Sequence, residues 1–163
     1  MNLAADEFLS LSQAILGQGH RLRFQASGHS MSPVILHGAI LEVEPRPGTE
    51  IRVGEVAFYR NSGGGLVAHR VVRKRFRRGR TIFLIKGDAR SCRSEGVYST
   101  QILGRVVRVE QQGCCLKLDR FLEKLLGKTL AYLSFGSPWL GRISYLLGNG
   151  WRLRFKARLG AWG

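Results

Sequence analysis

The sequence predicts a mainly β fold. A largely antiparallel sheet curls or partly closes on itself, with one helix before it and a basic, amphipathic helical tail after it. Three observations predict this. From 20 to 118, short apolar–polar alternations recur between turns rich in Gly, Pro and Asn, the pattern of short antiparallel strands. Twenty-one glycines in 163 residues suit many tight turns. After about residue 119 the apolar period changes from two to helical spacing. The chain therefore divides into an N-terminal helix (1–19), a β domain (20–118) and a tail (119–163), one domain with an appendage.

Each element has its own signal. Phe8, Leu11, Ile15 and Leu16 lie at helical spacing over 4–16, with Asp6 and Glu7 near the start and Gly17 and Gly19 after the end. This helix is expected to cover a face or edge of the sheet. Strands are expected at Leu22–Ala26, Ile40–Glu44, Val53–Tyr59, Leu66–Val72 and Thr81–Lys86, with Asn61–Gly65 and Arg77–Arg80 as turns. Ile102–Glu110 and Cys114–Leu118 form a hairpin around Gln111-Gln112-Gly113. In the tail, Phe121, Leu122, Leu125, Leu126, Leu130 and Leu133 share one helical spacing, and Ser137-Pro138 starts a second helix through Leu147. Trp151, Leu153 and Phe155 then alternate with Arg152, Arg154 and Lys156.

Composition narrows the function. A hydrophobic share of 44% supplies a core, and a formal charge of +15 calls for a polyanionic partner. Cys92, Cys114 and Cys115 form no CxxC or Cys/His spacing, so neither a disulfide framework nor a zinc site is expected. Met1–Glu7 lacks the basic and apolar regions of a signal peptide. Thr129–Leu147 is interrupted by Gly136-Ser137-Pro138, Gly141 and Arg142, which suits an interfacial helix better than a spanning one.

Ser27-Gly28-His29-Ser30-Met31-Ser32-Pro33 reads as an exposed tight loop between two strands. Such a loop can present a hydroxyl and turn backbone N–H groups into one concavity. A serine hydroxyl needs a base to become a nucleophile. Of His20, His29, His37 and His69, the informative one is His69, a polar ring inside the apolar strand Leu66–Val72. An imidazole titrating near pH 6.5 can accept a proton at neutral pH without tuning. His29, adjacent to Ser30, is a minor alternative.

Five blocks in order, Gly28-His29-Ser30-Met31-Ser32-Pro33, Val53-Gly54-Glu55-Val56-Ala57-Phe58, Ala68-His69-Arg70-Val71-Val72, Phe83-Leu84-Ile85-Lys86-Gly87-Asp88 and Ile102-Leu103-Gly104-Arg105-Val106, cover about residues 26–110. Together they resemble the type I signal peptidase superfamily, which includes the self-cleaving SOS repressors. The His-Arg-Val and Lys-Gly-Asp blocks resemble the archaeal and endoplasmic-reticulum type; the bacterial enzymes carry a lysine where this chain has His69. The resemblance implies a serine endopeptidase on the curled β fold of that family, acting through an acyl-enzyme without a cofactor or metal. Ser30 would be the nucleophile, and His69 the base and later the acid. The substrate would be a peptide or precursor protein lying as an extended strand, with small residues at P1 and P3.

Some positions depart from the family. An acidic residue several positions beyond Lys-Gly-Asp falls here on Ser94 or, shifted by one, Glu95. Asp88 is the expected carboxylate behind His69, with Glu95 as runner-up. Gly28 stands where some relatives have an oxyanion serine, so the oxyanion donor must be backbone N–H, which can be that of Ser30 alone. Met31 would line the substrate cleft; it could equally be a core filler. His37-Gly38-Ala39 replaces the usual Gly-Asp pair with Gly-Ala, and no N-terminal anchor is recognised.

Two basic segments remain: Arg70, Arg73, Lys74, Arg75, Arg77, Arg78 and Arg80 around one hairpin, and Arg152, Arg154, Lys156 and Arg158 in the tail. Aromatic and leucine residues accompany the tail's charge, which suits an acidic bilayer surface. No motif that reads nucleic acid is present. The expectation is a peripheral membrane protein on the cytoplasmic side. The competing reading is a non-catalytic basic module that binds membrane or an extended peptide on the same fold.

Overall fold

The computed structural model describes residues 3–77 and 79–118, so the tail expected over 119–163 lies outside the described residues. Helix α1 (Leu3–Gly17) precedes eight strands: β1 (Leu22–Gln25), β2 (Ile40–Pro45), β3 (Val56–Arg60), β4 (Leu66–Arg77), β5 (Arg80–Lys86), β6 (Glu95–Tyr98), β7 (Ile102–Gln111) and β8 (Cys114–Lys117). They form one antiparallel sheet in the order β1-β2-β7-β3-β4-β5-β6, with β8 on β7. The sheet is not closed. Its path ends on β1 and β6, strands of four residues that each pair with one neighbour only. The expectation of partial closure is corrected on this point: no ladder joins the two ends.

Several boundaries differ for local reasons. β3 starts at Val56 rather than Val53, because Gly54 turns the chain with φ 93°. β4 runs on to Arg77, its charged end exposed beside β5. β6 was not expected, since only Glu95 and Val97 of its four residues face inward and Gly96 interrupts any apolar run. On α1, Phe8, Ile15 and Leu16 face the sheet, whereas Leu11 is exposed.

Alternation along β3 divides the core. Val56 and Phe58 point into one cluster with Met31, Ile35, Leu41, Val43 and Val109, which α1 covers. Ala57 and Tyr59 point into a second, with Val71, Phe83, Ile85 and Val97. β3 is thus buried on both faces, and any side chain next to Ala57 or Tyr59 on the neighbouring strand faces the second cluster. β2 and β7 approach so closely at Gly104 that a Cβ there would lie 2.4 Å from the Glu44 carbonyl oxygen. Arg105, next along β7, donates to Glu44 Oε2 from Nε (3.0 Å) and Nη2 (2.8 Å), and from Nη1 to Glu55 Oε1 at 2.8 Å. Because the Gly104 obstacle is backbone, Gly104→Ala is expected to destabilise the fold by about 2–3 kcal/mol; an unchanged midpoint in urea unfolding would count against this register.

Candidate active site

The loop between β1 and β2 is tied at its neck and along its length. Ala26 N–H donates to Ala39 O (2.7 Å), and Gly38 N–H to Ala26 O (2.9 Å). The Gln111 side chain holds the loop from β7, accepting from Leu36 N–H at 2.9 Å and donating to Val34 O at 3.0 Å. Met31 and Ile35 are anchored in the first cluster. At the tip, the Ser30 carbonyl accepts from Ala89 N–H at 2.9 Å and from the Cys92 thiol at 3.4 Å. Burial pushes the Cys92 thiol up, so it stays protonated and able to donate. Gly87 completes this contact, because a Cβ there would lie 2.4 Å from Ser30 O. Lys-Gly-Asp therefore places a glycine where the turn over 87–92 must pass against the serine loop.

His69 sits on β4 directly opposite Ala57 of β3. It shares the inward face with Tyr59, two residues on. Its Nε2 lies 2.9 Å from Ser30 Oγ. On the other side of the ring, Nδ1 lies 3.1 Å from the Tyr59 hydroxyl, which donates to Glu95 Oε1 on β6. The structure thus brings Ser30, His69, Tyr59 and Glu95 into one chain of contacts. Burial holds the His69 imidazole below its ordinary value, with Glu95 and Asp88 opposing that shift by their charge. A ring lowered in this way is neutral at pH 7, the form that accepts a proton. Tyr59 is pushed well above the usual phenol value, first by burial and then by its hydrogen bond to Glu95 and that group's charge.

Three sequence expectations are corrected. Asp88 does not hydrogen-bond His69. Arg70 is 4% exposed, faces away from His69 by strand alternation, and needs a partner for its buried charge. It takes both oxygens of Asp88, from Nε to Oδ1 at 2.7 Å and from Nη2 to Oδ2 at 2.6 Å, and donates from Nη1 to Gly54 O at 2.9 Å. Gly28 has no free N–H for an oxyanion, because it donates to His37 Nδ1 at 3.1 Å. The Ser30 N–H donates to no acceptor among the described residues. Met31 is 5% exposed and packs in the core instead of lining a cleft. His29 stacks near His37, with ring centroids 5.3 Å apart.

Tyr59 and Glu95 are the residues sequence reasoning underused. A signal for Tyr59 existed: a phenol on the buried face of a strand needs a hydrogen-bond partner. Of the two candidates beyond Lys-Gly-Asp, Ser94 is exposed and Glu95 faces inward. Among the described residues, no group of three or more His, Cys, Asp and Glu side chains could hold a metal ion, and no helix is long and apolar enough to cross a membrane. A hydroxyl against a neutral imidazole, with a free N–H on the same residue, can carry out nucleophilic attack on a carbonyl.

Among known proteins, the chain matches no family model and no curated protein.

If Asp88 chiefly neutralises Arg70, Asp88→Ala strands a buried guanidinium and costs about 3–5 kcal/mol. Chemical denaturation checks this; a loss under about 1 kcal/mol, the range of exposed pairs, would contradict it.

Proposed function

We propose that the protein is a serine endopeptidase of the signal-peptidase type, with Ser30 as nucleophile and His69 as general base. The observation that carries this reading is the 2.9 Å approach of His69 Nε2 to Ser30 Oγ. It joins two motif blocks that stand 39 residues apart in the sequence. The ordered resemblance of five blocks to the signal peptidase superfamily gives the reaction class. Neither observation alone would suffice, since isolated Ser–His contacts are common.

The reaction follows from the geometry. Ser30 Oγ attacks the scissile carbonyl carbon while its proton passes to His69 Nε2. The oxyanion that forms is met by the Ser30 N–H. Collapse of the tetrahedral adduct breaks the C–N bond, and His69 returns the proton to the leaving amine. Water, deprotonated by the same ring, then hydrolyses the Ser30 ester and frees the enzyme. The substrate is an extended peptide or precursor segment with small residues at P1 and P3, the preference the resemblance brings.

The same reading puts the protein at an acidic membrane surface. The charge of +15 supports this, as does the β4–β5 hairpin. Arg73, Arg75 and Arg77 lie at alternate positions on one face of β4, all exposed. Arg77 pairs across the hairpin with Arg80, a like-charge contact that an anionic surface would relieve. Phe76, 76% exposed on the other face of the same hairpin end, adds an exposed apolar group there. Lys74 is engaged elsewhere, donating to Thr49 O and Ile51 O over the Phe83 ring.

Two predictions follow from these assignments. Against a peptide library with small residues at P1 and P3, read by mass spectrometry with anionic vesicles present, the parent cleaves and His69→Ala loses at least about 100-fold in kcat/KM. The acid limb of kcat/KM falls below pH 6.5, because burial lowers the His69 value and the base is lost only once the ring protonates. No cleavage by the parent, or an acid limb above pH 6.5, would remove this assignment. For the membrane, replacing Arg73, Arg75 and Arg77 together by Ser should weaken partitioning to anionic vesicles roughly 100-fold, at about 1 kcal/mol for each charge. Equal binding of parent and variant would rule out the hairpin as the contact.

A further inference from the structure

A Ser–His pair needs something to fix which imidazole nitrogen carries the proton. If Nε2 is protonated in the resting state, it cannot take the proton of Ser30. The usual device is a carboxylate against Nδ1, but the two carboxylates nearest His69 are arranged otherwise. Asp88 spends both oxygens on Arg70. Glu95 lies on β6, which pairs with β5, which in turn pairs with the His69 strand β4. Its Oε1 accepts from the Tyr59 hydroxyl, with no hydrogen bond to the ring itself among the described residues. Tyr59 reaches over β4 from β3, its ring centroid 6.1 Å from that of the imidazole and its hydroxyl in contact with both Glu95 and His69.

The protons in this chain can be assigned from its ends. A carboxylate only accepts, so Glu95 takes the single proton of the Tyr59 hydroxyl. The Tyr59 oxygen then has only lone pairs for His69, and the contact at 3.1 Å requires the hydrogen on Nδ1. Nε2 is left as the acceptor, aimed at Ser30 Oγ. We propose that Tyr59 is the positioning residue that fixes the His69 tautomer, and that Glu95 stands behind it as a carboxylate acting through the phenol. This rests on the reading of Ser30 and His69 as nucleophile and base. It makes the site a four-member relay in place of a triad. The phenol moves no proton onto the ring: strongly raised above its usual value, it stays protonated and passes on only polarisation as the imidazolium forms.

Two measurements test the relay, one of them independent of substrate. Long-range 15N–1H NMR of the full protein at pH 7.5, with His69 assigned through His69→Gln, should show the ring protonated on Nδ1. In Tyr59→Phe, with folding checked by its thermal melt, the ring should shift to a mixture or to the Nε2–H form. The same variant should lose at least about tenfold in kcat with KM little changed. Glu95→Gln keeps an acceptor for the phenol and removes only the charge. Since Glu95 and Asp88 both favour the imidazolium, this variant should move the acid limb of kcat/KM to lower pH, a shift that a purely structural role would not produce. An Nε2–H ring in the parent, or a Tyr59→Phe variant that keeps both the tautomer and kcat, overturns the relay. The failures are distinguishable. A Ser30→Ala variant that still cleaves would refute the nucleophile while the parent's NMR still decides the role of Tyr59.

Discussion

The buried fork between Arg70 and Asp88 is the constraint on which the rest of the site depends. Arg70 is the residue after His69 on β4, and Asp88 is the residue after Gly87 in the turn that leaves β5. Joining them fixes that turn against β4. The turn in turn holds the Ser30 carbonyl through Ala89 N–H and the Cys92 thiol. A charge pair that touches neither atom thus helps to hold Ser30 Oγ against His69 Nε2, beside the Gln111 and core anchors of the serine loop. A bidentate guanidinium–carboxylate contact suits this task because its two parallel bonds fix orientation as well as distance. Removing either partner leaves a charge in a place without water, which explains why such a pair persists even where its net contribution to stability is small.

The two clusters of the core assign different work to the two faces of the sheet. The face covered by α1 anchors the serine loop through Met31 and Ile35. The opposite face carries His69, Tyr59 and Glu95 at the margin of the second cluster. Because β3 is buried on both sides, neither cluster can shift without the other. That rigidity keeps a hydroxyl and an imidazole contributed by different elements at hydrogen-bond distance. It also supplies the low-dielectric surroundings that keep the ring neutral. One exposed basic run lies elsewhere, on the hairpin end of β4 and β5, so that the surface which could meet an anionic partner and the site which could cleave a peptide are built from the same strand.

Much of this was legible in the sequence, and the reasons are physical. Period-two alternation and glycine turns marked the strands, and the helical spacing of Phe8, Ile15 and Leu16 marked α1. Ser30 and His69 stood out because each was a reactive group in a setting that did not need it for packing. What stayed hidden depended on partners distant in the chain. Spacing could not show that Asp88 would be claimed by Arg70, since that choice depends on which face of β4 Arg70 occupies. Met31 read as cleft or core with equal ease, and the fold buried it. Gly28 was counted as an oxyanion position without knowledge that His37 would take its N–H. The strand pattern marks Tyr59 only as the end of Val53–Tyr59, although a buried phenol carries a hydrogen-bonding requirement. Gly96 and the exposed Tyr98 leave β6 without an apolar signature, so spacing alone could not place Glu95, the runner-up carboxylate, on an inward-facing strand position.

The central claim is that His69 activates the atom on residue 30, and this can be measured without knowing a substrate. The variant Ser30→Cys places a thiol on that atom, and its alkylation by iodoacetamide can be followed peptide by peptide, separately from Cys92, Cys114 and Cys115. Near pH 7 the introduced thiol should react at least about tenfold faster with His69 present than in Ser30→Cys combined with His69→Ala, because only the thiolate is reactive and a neighbouring imidazole takes its proton. Equal rates in the two proteins would show that the imidazole does not act on residue 30, and the account would fail at its centre.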